Sequence, residues 1–299
     1  MNPIQSLLNE SKYILADGGM GTMLFAAGLQ HGDPPEKWNL EHPDRVAAVH
    51  RAYLEAGAQL LLTNTFGGNR LRLSLHGGFE TQVEELNQAA AKILRAEVDT
   101  DGGDALVVGD IGPTGQVLLP YGELAFEEAV EAFTEQASAL ISGKVDLIWI
   151  ETMADLEEVR AAVEGVRQVS ADIPIITTMT FDTYGRTMMG VTPEQALDTL
   201  KSFEAVALGG NCGNGPEEIL DVIKKMHSKD PEAILVAKAN AGIPELVDGR
   251  PVYGASPQTM ADYALKTYAA GARIIGSCCG STPDHVKAIG EALAAQVGA

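Results

Sequence analysis

Short runs of Ile, Val and Leu recur along the chain at 13–16, 59–63, 105–109, 146–150, 174–178, 205–208, 234–237 and 273–276. Each is apolar nearly throughout and does not alternate, as expected of a strand buried on both faces. Segments of helical period lie between them. The stretch 42–56 ends at Gly57, 125–141 ends near Gly143, and 155–169 opens on Asp155. The stretch 193–203 has Thr192 as N-cap with Pro193 at the first helical position, and 257–270 opens after Ser256. Eight alternating β and α units in 299 residues predict an α/β fold, a (β/α)8 TIM barrel. No linker, charge run or low-complexity segment interrupts the pattern, which predicts one domain over 1–299. The connections after the first two runs are the longest, and long βα loops build the mouth of such a barrel.

Polar and glycine residues follow the runs. Asp17-Gly18-Gly19-Met20-Gly21-Thr22 follows the first, and Asn64-Thr65-Phe66-Gly67-Gly68-Asn69 the second. Asp110-Ile111-Gly112-Pro113 follows the third, Glu151-Thr152 the fourth, Asn211-Cys212 the sixth and Asn240-Ala241-Gly242 the seventh. Cys278-Cys279-Gly280 follows the eighth. This places polar chemistry at the C-terminal ends of the strands, where barrel active sites form.

The chain has three cysteines, and all three occupy such positions. A closed barrel brings the ends of its sixth and eighth strands to one rim. Three thiolates and one open position make a thiol-binding zinc site of Cys212, Cys278 and Cys279. Gly280 allows the sharp turn that lets adjacent cysteines both ligate. The last helix, starting at Ser281-Thr282-Pro283, would favour thiolates near its N-terminus. Two other readings compete: inert buried thiols, and a nucleophilic or redox cysteine. The second lacks a base, because His31, His42, His50, His76, His227 and His285 fall in loops and helices, as surface or helix residues and not ligands.

These segments together resemble the zinc-dependent homocysteine S-methyltransferase family. That family includes the homocysteine module of cobalamin-dependent methionine synthase and betaine–homocysteine methyltransferase. The similar segments are Asp17 to Thr22, Asn64-Thr65-Phe66, Gly112-Pro113-Thr114-Gly115, Ile150-Glu151-Thr152-Met153, Gly209-Gly210-Asn211-Cys212 and Gly276-Ser277-Cys278-Cys279-Gly280, in order along almost the whole chain. Ser277 departs from the family's usual second glycine but is small enough to keep the loop. The resemblance implies Cys212, Cys278 and Cys279 as zinc ligands. It implies Asp17, Gly18, Gly19 and Glu151 as the residues holding the amino-acid end of homocysteine, with Asn240 facing metal or substrate or serving as a turn residue. A carboxylate ending the run Leu147-Ile148-Trp149-Ile150 would be nearly buried, and that is costly unless a cation or donor meets it. The implied reaction makes methionine, with the zinc-bound homocysteine thiolate attacking a methyl donor.

The donor is less legible. Betaine needs an aromatic cage. The positions aligned with the cage of the betaine-using branch are near Pro34, Gly67 and Thr152, and none is aromatic. Trp38, Tyr121 and Tyr184 are the compensating candidates. Gly67 and Gly68 leave an open approach, which suits a methylated corrinoid (methylcobalamin) on a partner protein. The expectation is a stand-alone homocysteine-binding subunit of a split methionine synthase. Betaine is the alternative, then S-methylmethionine or S-adenosylmethionine. In a different class stands a non-catalytic zinc or thiol carrier. A formal net charge of −20 argues against nucleic-acid and anionic-membrane partners. No run is long enough to span a bilayer, and the first residues lack a secretory pattern. With an odd number of cysteines this predicts the cytoplasm.

Overall fold

The computed structural model describes residues 2–30, 32–247 and 250–297. Its strands are β1 (Ile14–Leu15), β2 (Leu60–Leu62), β3 (Leu106–Ile111), β4 (Leu147–Met153), β5 (Ile175–Met179), β6 (Ala207–Cys212), β7 (Leu235–Ala239), β8 (Pro244–Val247), β9 (Arg250–Tyr253) and β10 (Ala272–Ser277). Eight pair in the order β1-β10-β7-β6-β5-β4-β3-β2, each pair parallel. A bridge from Ala16 to Leu60 joins β1 to β2 and closes the sheet. This is the (β/α)8 barrel that the hydrophobic runs predict, one of the few arrangements that cover both faces of a parallel sheet through β–helix–β crossovers.

The strands alternate inward and outward. Ile14, Leu60, Val108, Trp149, Ile176 and Val236 fill the barrel interior as one buried cluster. The opposite faces join the larger cluster under the helices. A helix at Pro3–Glu10, too short for its period to be visible in sequence, adds Ile4 and Leu7 to the interior cluster beside the strand starts at Leu106, Val206 and Ile234. Helices at Pro43–Glu55, Phe126–Ser142, Leu156–Val169, Pro193–Ser202 and Pro257–Ala269 match their predicted stretches within a few residues. Thr192 and Gln195 form a reciprocal capping box, and Ser256 caps through Thr259 N–H.

Two features correct the sequence reading. Asp110, Glu151 and Cys212, placed after their runs by hydropathy, lie inside β3, β4 and β6. The backbone ladder continues past the apolar run, with Asp110 opposite Trp149 and Cys212 opposite Ala239. Backbone pairing does not depend on side-chain polarity, so hydropathy ends a strand where the interior turns polar. The second feature is the β8–β9 antiparallel hairpin after β7. It sets Tyr253 against Gly280, where a Cβ would lie 2.0 Å from the ring and φ is +80°. Only glycine fits there.

Candidate active site

A cavity of about 350 Å³ opens at the C-terminal ends of the strands. Asp17, Gly18, Gly19, Asp110, Glu151, Lys238 and the three cysteines line it, with Phe25, Glu36 and Phe66 among its outer walls. Its floor continues the inward rows of the barrel. Trp149 is followed two residues on by Glu151, Val108 by Asp110, and Val236 by Lys238, so period-two alternation carries the hydrophobic plug into a charged layer.

Cys212, Cys278 and Cys279 bring their sulfur atoms within 4.8 Å of one another, the one such group among the described residues. All three are free thiols, and the Cys212 and Cys278 sulfurs are 2.9 Å apart. Tetrahedral metal–sulfur bonds would set ligand sulfurs about 3.8 Å apart, close to the observed grouping. The thiol chemistry fits a cation as well. Hydrogen bonds from Cys212 and Cys278 pull the Cys279 thiol well down. Hydrogen bonds to Cys278 and Cys279, with burial, push Cys212 well up. Cys278 gains from its contact with Cys212, but Cys279 and burial outweigh this and push it up to about 12. One negative charge is easily held and three are not, until a metal ion shares the pocket.

Backbone geometry assembles this group. Cys212 takes φ +58° and Thr152 φ +61°, both left-handed. Asn211 holds them together: its Oδ1 accepts from Thr152 N–H at 2.8 Å, and its Nδ2 donates to Thr152 Oγ1 at 2.6 Å. Strained residues clustered in this way mark sites whose surroundings over-determine them. The β1 and β10 loops are tied through Ser281, whose Oγ accepts from Gly19 N–H at 3.0 Å and donates to Cys278 O at 2.6 Å. A Cβ on Gly18 would sit 2.6 Å from that same Oγ, so the loop must be glycine there. The Gly19 N–H is thereby occupied within the protein.

Asn240 spends its amide on the scaffold. It accepts from Cys279 N–H at 3.0 Å and donates to Gly213 O at 2.8 Å, and it is not among the cavity-lining residues. Asp17 accepts from Leu62 N–H at 2.8 Å through Oδ2, and its Oδ1 lies 3.2 Å from Lys238 Nζ. The Lys238 nitrogen is also 3.9 Å from Glu151 Oε2. Lys238 is 3% exposed. Burial alone would lower it, but Asp17 and Glu151 hold it charged and raise it well above the ordinary lysine range. Burial pushes Glu151 up to about 8, against the pull of Lys238. Lys238 is a buried cation paired to Asp17 and at the edge of reach of Glu151, and the sequence reading missed it. Its signal was there: a lysine two residues after Val236, on the inward row of an otherwise apolar strand.

The aromatic candidates fall elsewhere. Trp38 is buried under the guanidinium of Arg45, 4.8 Å from its ring, and Tyr121 and Tyr184 are exposed; none lines the cavity. No histidine joins the sulfur group among the described residues, and His31 lies outside them. His50 and His285 lie in helices, as expected, and both are buried. His50 is fully buried, neither ring nitrogen has a partner, and burial lowers it to about 3, so it is neutral. His285 is buried and bonds Ala255 O at 2.9 Å.

Comparisons with known proteins bear on the fold and the family. Over 302 aligned residues the chain is 32% identical to methionine synthase of Mycobacterium leprae (strain TN), covering 95% of this chain but only 24% of that protein. The solved homocysteine methyltransferase MmuM from Escherichia coli, in its metallated form, superposes with a TM-score of 0.81 at 25% identity, covering 96% of this chain and 99% of the other. A methyltransferase from Methanosarcina mazei shares the fold at 14% identity and a TM-score of 0.59. A sequence model of homocysteine S-methyltransferase matches residues 14–293, and with that match the chain belongs to the homocysteine S-methyltransferase family.

Proposed function

We propose that this enzyme transfers a methyl group to homocysteine, with zinc held by Cys212, Cys278 and Cys279. The observation that carries the reading is the grouping of three free thiols beside a buried charged recess at the mouth of the barrel. When bound, zinc would ionise a substrate thiol near neutral pH and keep its sulfur nucleophilic. The chain's own residues position the rest of the substrate. Glu151 offers a carboxylate to the ammonium, and the Gly18-Gly19 loop with the uncapped turn at Met20 faces the substrate carboxylate. In the reaction the S–C bond forms as the donor–methyl bond breaks, and the thiol proton leaves to solvent. No side chain of the protein forms a covalent intermediate. Three thiols that must stay reduced fit a cytoplasmic location.

The donor we favour is a methylated corrinoid carried by a partner protein, so that the chain acts as the homocysteine subunit of a split methionine synthase. The 32% identity to a methionine synthase supports this donor, as does Gly67 in the cavity wall; Gly68, expected beside it, is instead buried against Asn87 and Gln136. A second reading is a small free donor such as S-methylmethionine. Betaine is disfavoured because, among the described residues that line the cavity, the aromatic rings are Phe25, Phe66 and His76. The test is methionine formation by zinc-loaded protein with homocysteine and each donor offered separately. Turnover with methylcobalamin alone supports the first reading. Turnover with S-methylmethionine or betaine alone replaces it.

A further inference from the structure

One carboxyl group on the cavity floor makes no side-chain hydrogen bond among the described residues. Asp110 lines the cavity and is 5% exposed, and its Oδ1 is buried without a hydrogen bond. Its backbone, by contrast, is fully engaged. Asp110 N–H donates to Thr63 Oγ1 at 3.0 Å, and its carbonyl accepts from Thr65 Oγ1 at 2.7 Å and Gln136 Nε2 at 3.3 Å. Three polar side chains therefore hold the backbone beneath a carboxyl group whose Oδ1 makes no hydrogen bond. A buried polar group of this kind calls for an explanation, because leaving it unpaired is costly.

Asp17 is differently placed. Leu62 N–H donates to its Oδ2, and its Oδ1, though also without a hydrogen bond, is ion-paired with Lys238 at 3.2 Å. Glu151 has only distant company, Asn211 Nδ2 at 3.4 Å and Lys238 Nζ at 3.9 Å. The floor thus carries three carboxyl groups and one ammonium, and the ammonium sits closest to Asp17. What the floor lacks is a second cation. Burial first, and then the charge of Glu151, push Asp110 well up, which is the cost that such a cation would relieve.

The geometry points to Asp110 as a specificity-determining residue: with Glu151 it forms the seat of the substrate ammonium, while Lys238 keeps Asp17 as an internal ion pair. This rests on the homocysteine reading above. It adds a residue on β3 to the Glu151 carboxylate already read as meeting the ammonium.

The test compares two thiols on zinc-loaded protein by calorimetry: homocysteine, and 4-mercaptobutanoate, which is homocysteine without its amino group. The variants are Asp110→Asn and Asp110→Ser. Loss of one charge-assisted contact should weaken homocysteine about 10- to 100-fold and leave 4-mercaptobutanoate within about threefold. Zinc content should stay unchanged. Because no protein group donates to the carboxyl Oδ1, Asp110→Asn should keep or raise the melting temperature. A merely structural Asp110 would show the reverse, a lower melting temperature with both ligands weakened alike, and that result overturns the proposal. So does unchanged homocysteine affinity in both variants. If the unmodified zinc-loaded protein binds neither thiol, the homocysteine reading itself fails, which is a distinct outcome.

Discussion

Asn240 accepts the backbone N–H of Cys279 at 3.0 Å while the other end of its amide donates to Gly213 O at 2.8 Å. One side chain on the rim thus spans the loops that carry the two cysteines farthest apart in sequence. Groups that orient ligands without touching the metal typically contribute 10- to 100-fold to its affinity. Asn240→Ala should weaken zinc binding by about that factor while the barrel stays folded. Competition against a chromophoric chelator reads the affinity, and circular dichroism reads the fold. Unchanged affinity would mean that the backbone alone holds the loops.

Each cysteine supplies one of three ligands, so the loss of any one should remove tight metal binding and methyl transfer together. Cys212→Ala, Cys278→Ala and Cys279→Ala should each fall below about a hundredth of the original turnover, since removing a catalytic metal removes several kcal/mol of charge stabilisation. Metal analysis alongside methionine assays checks this. Chelation of the unmodified protein should abolish activity, and added zinc should restore it. A variant that retains turnover without metal would sink the assignment.

Lys238 is buried against Asp17 and Glu151, so removing its charge strands two carboxyl groups in the interior. Lys238→Met should cost about 3–5 kcal/mol of stability, the range for breaking one partner out of a buried ion pair. Pairing it with Asp17→Asn should recover much of that loss, because both charges then leave together. Urea denaturation of the metal-free proteins measures both. Additive effects in the double variant would show that the two groups do not act as a pair.

Glu151 gives a pH signature in the metal-free protein. Its folded-state pKa is raised from 4.5 to about 8, so the folded protein binds a proton that the unfolded chain has released. That linkage stabilises the fold below the unfolded value and is lost as pH climbs through the folded one. Relative to Glu151→Gln, the unmodified protein should lose stability between pH 4.5 and about 8 and level off above. Urea midpoints of both proteins across that range test it. A constant difference would place the Glu151 carboxyl in a more polar setting.

The hydrophobic runs by themselves determined the barrel, because strands covered on both faces and alternating with amphipathic helices have few other ways to hide their apolar residues. Capping residues such as Thr192 and Ser256 set helix starts through local hydrogen bonds, and local bonds are readable from local sequence. The cysteines were legible as a set because the topology alone brings the ends of β6 and β10 to one rim. The charged floor was decided only in three dimensions. Lys238 meets Asp17 from two strands away, past β10, and Asp110 faces the cavity on the inward row of β3, where Thr63, Thr65 and Gln136 bind its backbone. Those pairings depend on strand register and inward phase. A register shift of β4 against β5 between Ile150 and Met153, next to Glu151, leaves no mark in hydropathy. Asn240 likewise reads as a turn residue until folding sets Gly213 on one side of its amide and Cys279 on the other. Sequence carries what short-range propensity and apolar period dictate. Contacts between distant polar side chains exist only once the closed sheet fixes their separation.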